Sequence, residues 1–137
     1  ILITSRTYAE KNSIQIKAAI KGRSLVGVDW RRMGMGPLPA TENVLKNLDM
    51  TINDIDVIEL NEAFSAQALY VIKKGGWDAS KINLNGGAIA LGHPLGCSGA
   101  RIITTLLSVM EQKDSRNGLA TMCIGTGQGI ATILERD

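Results

Sequence analysis

The only histidine of the chain, His93, sits in NGGAIALGHPLGCSGAR at residues 85–101, between Gly92 and Pro94. Imidazole titrates near neutrality, which suits proton transfer or hydrogen-bond donation. A histidine kept for packing usually lies inside an element, so a glycine-rich turn favours the chemical reading. Pro94 confines His93 to extended backbone. Gly92 and Gly96 let a ligand approach the main chain. Cys97 follows four residues on, at the start of a helix, where a thiol pKa falls. The plainer role for Cys97, a small side chain beside a tight turn, is preferred. Asn61 opens NEAF at a strand-to-helix junction. It either caps that helix or uses its amide to position a water or substrate oxygen. Glu62 is read as a first-turn dipole partner or hydrogen-bond acceptor, not as a base.

Cys123 closes an apolar run just before GTGQG. The glycines there expose backbone N–H groups suited to an oxyanion. GTGQG is not a dinucleotide fingerprint: the spacing is wrong and a strand follows it, not a helix. Asn61, His93 and Cys123 all fall at the ends of expected strands, where α/β sheets gather their sites. These residues support acyl transfer, with Cys123 and His93 as a thiol–imidazole pair. Which of the two cysteines attacks, and whether either does, stays open at this level. One His and one Cys near residue 97 are too few ligands for a metal, and no CxxC is present.

The elements that must position these groups follow from periodicity. Residues 14–28 are β-rich with alternating polar positions. A glycine- and proline-rich loop spans 33–40, and a helix is expected over 40–48. Residues 56–60 read as a buried strand, and 63–74 as a helix with Lys73 and Lys74 at its end, capped by Gly75. A short strand is expected at 82–84. From Ser98 a helix runs to Met110 with apolar residues nearly all round, the pattern of a helix buried on all sides. Residues 119–124 and 130–134 form a hairpin about GTGQG. The order is β-α-β-α-β-α-β-β, a layered α/β architecture with a mixed sheet and helices on both faces.

Composition narrows the function classes. The chain has 137 residues, 45% hydrophobic and 20% charged, a balance that provides a core for one domain. Fifteen basic against thirteen acidic residues leave +2, too little to argue for nucleic acid, and 4% aromatic content gives no stacking platform. No apolar run approaches the roughly 18 residues of a membrane helix. Two distant cysteines without a signal segment fit a reducing, cytoplasmic compartment. Residues 1–4 read as the tail of a buried strand whose neighbours are not in the sequence, which suggests a piece of a longer protein.

NEAF at 61–64, NGGAIALGHPLGCSGAR at 85–101, CIGTGQG at 123–129 and GMGPLPA at 34–40 together resemble the thiolase family, in family order. The resemblance covers the chain from about residue 14 onward. It implies two similar α/β halves, with residues 1–13 the end of the first half and 14–137 the second, C-terminal one. It implies reversible Claisen condensation, or thiolysis of 3-oxoacyl-CoA, of the acetyl-CoA acetyltransferase type. No cofactor or metal is implied beyond coenzyme A thioesters as substrate.

By the same resemblance, His93 activates a nucleophilic cysteine that lies in the first half and helps bind the thioester oxygen. Asn61 holds a water in the same oxyanion hole. Cys123 becomes a general acid/base at the acetyl Cα, and Gly125 lends its N–H to a second oxyanion hole. Ala63 and Phe64 line the pantetheine channel. The chain alone would then be inactive. Its partners would be the first half and further copies, as a dimer or tetramer. A thiolase for 3-oxoadipyl-CoA or longer chains, or a non-catalytic assembly or carrier domain, are the alternatives. Ketoacyl synthases favour two histidines with a cysteine and fit less well. Three positions depart from the family pattern: Cys97 for alanine, Trp30 for proline and Thr126 for glycine.

Overall fold

A computed structural model describes residues 1–136. The elements run α1 (Arg6–Lys11), β1 (Ala19–Gly27), α2 (Pro37–Asn47), β2 (Val57–Leu60), α3 (Ser65–Gly75), α4 (Ala88–Leu91), α5 (Ser98–Gln112), β3 (Asn117–Ile124) and β4 (Gln128–Glu135). Short 3-10 turns at Trp30–Met35, Ile52–Asp54 and Ala79–Lys81 join them. The sheet order is β1-β4-β3-β2. β1/β4 and β4/β3 are antiparallel, and β3/β2 is parallel, with Leu60 opposite Thr121. This is the mixed α/β sheet expected, with four strands.

Helices cover both faces, as the strand sequences require. In β2 and β3 residues of both faces are buried, the mark of a strand covered on each side. Leu60, Leu119 and Ile133 point to one core with Leu38, Val44 and Leu45 of α2 and Ala68 and Val71 of α3. Val57, Ala120 and Leu134, one residue out of phase, point to the other, with Ile102, Leu106, Val109 and Met110 of α5. Each fully buried Val, Leu, Ile or Met among them contributes about 1.5–3 kcal/mol. Leu106→Ala, at a fully buried position, would cost about 2–5 kcal/mol.

Several elements differ from expectation, each for a physical reason. β1 begins at Ala19 because its partner β4 ends at Glu135, opposite Ala19; residues 14–18 have no ladder to join. α2 starts at Pro37, ahead of the expected Ala40, since a proline's fixed φ suits the first helical turn. α3 starts at Ser65 because Phe64 is still extended, and its cap is Gly76 at φ 64°, not Gly75.

No strand forms at 82–84; only a single bridge joins Ile82 to Ile58. Asn83 turns to φ 50°, and its side chain takes over the pairing. Its Oδ1 accepts from the Leu60 N–H, and its Nδ2 donates to the Leu60 carbonyl, both at 2.9 Å. Residues 1–4 form no strand and are exposed; the four-stranded ladder does not include them. α5 buries one face only: Ile103 and Leu107 are half-buried, and Thr104 and Ser108 are exposed. Those two hydroxyls donate back to the Ala100 and Thr104 carbonyls, which lets them sit on an otherwise apolar helix.

The GMGPLPA loop owes its glycine to a close approach. A Cβ on Gly36 would collide with the Gln128 carbonyl and the Gly129 backbone of β4, so α2 is pinned at its start against the sheet.

Candidate active site

Because β2 and β3 are parallel, their carboxyl ends lie at the same edge of the sheet. Asn61 follows β2 and is completely buried. Its backbone N–H donates to the Thr121 carbonyl at 2.9 Å, which prolongs the β2/β3 ladder by one residue. It is not a helix cap: that position belongs to Phe64. With capping excluded, the amide of Asn61 is left for its side-chain partners.

One of these is His93. Asn61 Nδ2 lies 3.4 Å from His93 Nε2. The other ring nitrogen, Nδ1, lies 2.5 Å from the hydroxyl of Ser98. Ser98 Oγ donates its own proton to the Pro94 carbonyl at 3.1 Å, so it accepts from Nδ1–H. In the neutral ring Nε2 would then be the nitrogen without a proton, facing the amide donor of Asn61. Ser98 is fully buried and opens α5, so the helix start anchors the imidazole.

The turn carrying His93 is tied to NEAF by Glu62. Its carboxylate accepts from Asn83 Nδ2 at 3.0 Å and from the Ile89 N–H at 3.0 Å. A Cβ on Gly87 would collide with that carboxylate. Glu62 is thus a hydrogen-bond acceptor between loops, and it does not act in the first turn of α3.

Behind Asn61 lies a buried ion pair. Arg101 Nη2 donates to Asn61 Oδ1 at 3.4 Å, and Arg101 Nη1 stands 3.9 Å from Glu59 Oε2. Glu59 is 1% exposed. Neither of its carboxylate oxygens has a hydrogen-bond partner, and the same holds for Arg101 Nε and Nη1. Burial pushes the Glu59 carboxyl up to about 7; the Arg101 cation pulls the other way, and Glu62 adds to the rise. Charged residues inside an apolar strand and an apolar helix were the available signal, since such groups are seldom buried unless paired. Glu59, Arg101 and Ser98 were missed because periodicity alone does not pair them.

Cys123 is the next-to-last residue of β3 and is 4% exposed. Burial pushes its thiol up from the usual cysteine range. Among the described residues no hydrogen bond joins either thiol to His93, whose two ring nitrogens face Asn61 and Ser98. The thiol–imidazole pair expected from the residues alone is therefore not formed within this chain. Cys97 is exposed.

Gly125 is exposed, in the three-residue turn between β3 and β4. Ala63 is half-buried, and Phe64 is 63% exposed. A cleft lined by Leu38, Thr41, Leu45, Met50 and Trp77 holds none of these groups.

The layered half-domain gathers Asn61 and Cys123 toward the carboxyl ends of parallel strands, where α/β folds place their sites; by its match to a family model the chain belongs to the thiolase family. The family model described as "Thiolase, C-terminal domain" matches residues 14–136. The chain is 58% identical to a 3-ketoacyl-CoA thiolase of Vibrio vulnificus, over 99% of this chain and 36% of that protein. It is also 58% identical to one of Photorhabdus laumondii, with the same coverage. Among solved structures it is similar to human mitochondrial 3-ketoacyl-CoA thiolase in complex with CoA, at 41% identity and TM-score 0.95, over 98% of this chain and 34% of that one. It is similar, too, to the acetyl-CoA acetyltransferase of Bacillus anthracis, at 41% identity and TM-score 0.94, over 96% and 34%. The chain thus spans about a third of the length of the curated relatives it matches. Among the described residues, no helix is long and apolar enough to cross a membrane.

Proposed function

We propose that this chain is the C-terminal half of an acyl-CoA thiolase catalysing reversible condensation and thiolysis of 3-oxoacyl-CoA. The observation that carries the reading is the Asn61–His93 pair, a buried amide 3.4 Å from imidazole Nε2, the nitrogen without a proton when the ring is neutral. In that neutral state Nε2 takes the proton of a nucleophilic cysteine on the preceding half, and the protonated nitrogen then donates to the thioester oxygen. The names of the relatives support 3-oxoacyl-CoA as substrate.

Cys123 acts at the acetyl Cα. In the thiolytic direction, cleavage of the Cα–Cβ bond leaves a carbanion on acetyl-CoA, and the Cys123 thiol gives it a proton. In condensation the thiolate takes that proton back. The raised thiol pKa supports the acid form at rest. Gly125 serves the second oxyanion hole with its N–H, and the exposed Phe64, with Ala63, contacts the pantetheine arm.

The preceding half, of which residues 1–13 form the end, covers the outer face of α5. The assembly is a homo-oligomer of the cytoplasm that serves fatty acid metabolism, and the 137-residue chain by itself has no thiolysis activity. The test is Cys123→Ala in the intact enzyme. Condensation is abolished while labelled acetyl groups still attach to the nucleophile; failure of acetyl transfer in that variant would remove the acid/base assignment.

A further inference from the structure

The amide of Asn61 has two ends, and only one orientation serves the imidazole. Arginine has donors and no acceptor. Where Arg101 Nη2 meets the amide at 3.4 Å, the amide must present its oxygen. Its NH2 then faces His93 Nε2, and a donor there requires the lone pair of that nitrogen. The ring proton is thereby placed on Nδ1, where Ser98 accepts it. With the amide reversed, its oxygen would face Nε2 and favour the tautomer protonated at that nitrogen, which has no lone pair to receive a proton.

Arg101 itself needs a reason to stay. Its side chain is 17% exposed, and Nε and Nη1 are buried without hydrogen-bond partners. Glu59, projecting from β2 toward α5, supplies the only carboxylate paired with it among the described residues. That pair is poorly bonded: neither Glu59 oxygen has a hydrogen bond, and the N···O separation is 3.9 Å. Replacing a buried ion pair by apolar groups often stabilises a protein, so a pair this loose is a poor device for stability. What it does hold is an arginine aimed at Asn61.

We propose that Arg101, held by the buried carboxylate of Glu59, is a positioning residue that orients the Asn61 amide and so selects the tautomer in which His93 Nε2 accepts a proton. This rests on the thiolase reading above and names two residues of the same site that act without touching substrate. Misplacing a group next to the reacting atoms costs as much as about 100-fold in rate.

The test is a double-mutant cycle in the intact enzyme that contains this domain, with kcat and KM measured separately and folding checked by circular dichroism. Arg101→Met is expected to lower kcat about 10- to 100-fold while KM moves less than about threefold. Arg101→Lys, which keeps a charge and a donor, recovers a large part of that loss. Added to Asn61→Ala, Arg101→Met should cost less than about threefold more, because residues acting through one another are not additive. If Arg101→Met fails to fold, Arg101→Lys carries the cycle, and its smaller loss should vanish in the Asn61→Ala background. A full, additive loss on top of Asn61→Ala, or an Arg101→Met enzyme with unchanged kcat, overturns the proposal. An Asn61→Ala enzyme with unchanged kcat would instead overturn the role given to Asn61 on which the proposal rests.

Discussion

Asn61 Nδ2 stands 3.4 Å from His93 Nε2, although the two residues are 32 positions apart in the chain. Two local structures bring them together. The parallel ladder carries Asn61 one residue past β2, and the start of α5 holds the imidazole through Ser98. The pair is defined by what lies on its far sides: Arg101 behind the amide, Ser98 behind the ring.

The Ser98 hydroxyl is therefore expected to matter for rate more than for folding. Ser98→Ala leaves Nδ1–H without its acceptor in a half-buried site and removes one hydrogen bond, worth about 1 kcal/mol of stability. It also frees the ring to change tautomer. In the intact enzyme kcat should fall about tenfold or more, with Ser98→Thr, which keeps a hydroxyl, falling less. Steady-state kinetics on the two variants decides; equal losses would show that the hydroxyl has no part in holding the ring.

Glu59 makes stability depend on pH in an unusual direction. Its carboxyl lies at 4.5 in the unfolded chain and at about 7 in the folded one. The contribution from the raised value is fully present below 4.5 and is lost as pH rises through about 7, because the unfolded chain gives up its proton first. The loss is about 3 kcal/mol at most. Glu59→Gln removes this dependence. Denaturant unfolding of the two proteins should give similar stabilities near pH 4.5 and a more stable Glu59→Gln protein at pH 8. A constant difference across that range would contradict the placement of this carboxyl.

Thr126 sits at φ 68° in the turn between β3 and β4, a left-handed conformation in which a β-branched side chain is strained. Asparagine tolerates that region, so Thr126→Asn should stabilise by about 1 kcal/mol, read as a higher denaturant midpoint with an unchanged slope. Gly127, at φ 85°, has no such freedom to vary: a Cβ there would collide with the Val28 carbonyl and the Trp30 backbone. The turn position noted from sequence as a departure from the family's glycine is thus the position whose backbone favours one.

Much was determined by the sequence itself. The run at 56–60 read as a buried strand, the alternation of β-rich and helical segments as a layered α/β sheet, and GTGQG between two β-rich runs as a hairpin. The motifs around Asn61, His93 and Cys123 marked the edge where a site belongs. Local pattern was enough for these because each is written within a few neighbouring residues.

Tertiary structure alone decided the rest. Residues 82–84 have the composition of a strand, yet the Asn83 side chain occupies the edge of β2 that a strand would have used. α5 looks apolar all round, yet within this chain only one face finds a sheet to cover. The contacts that orient the site, Arg101 with Asn61 and Glu59 with Arg101, join residues about forty positions apart across the packing of α5 on β2. A charge in an apolar strand announces that it needs a partner. Which partner, and what that partner then turns toward the imidazole, depends on how two elements pack, and no local periodicity records it.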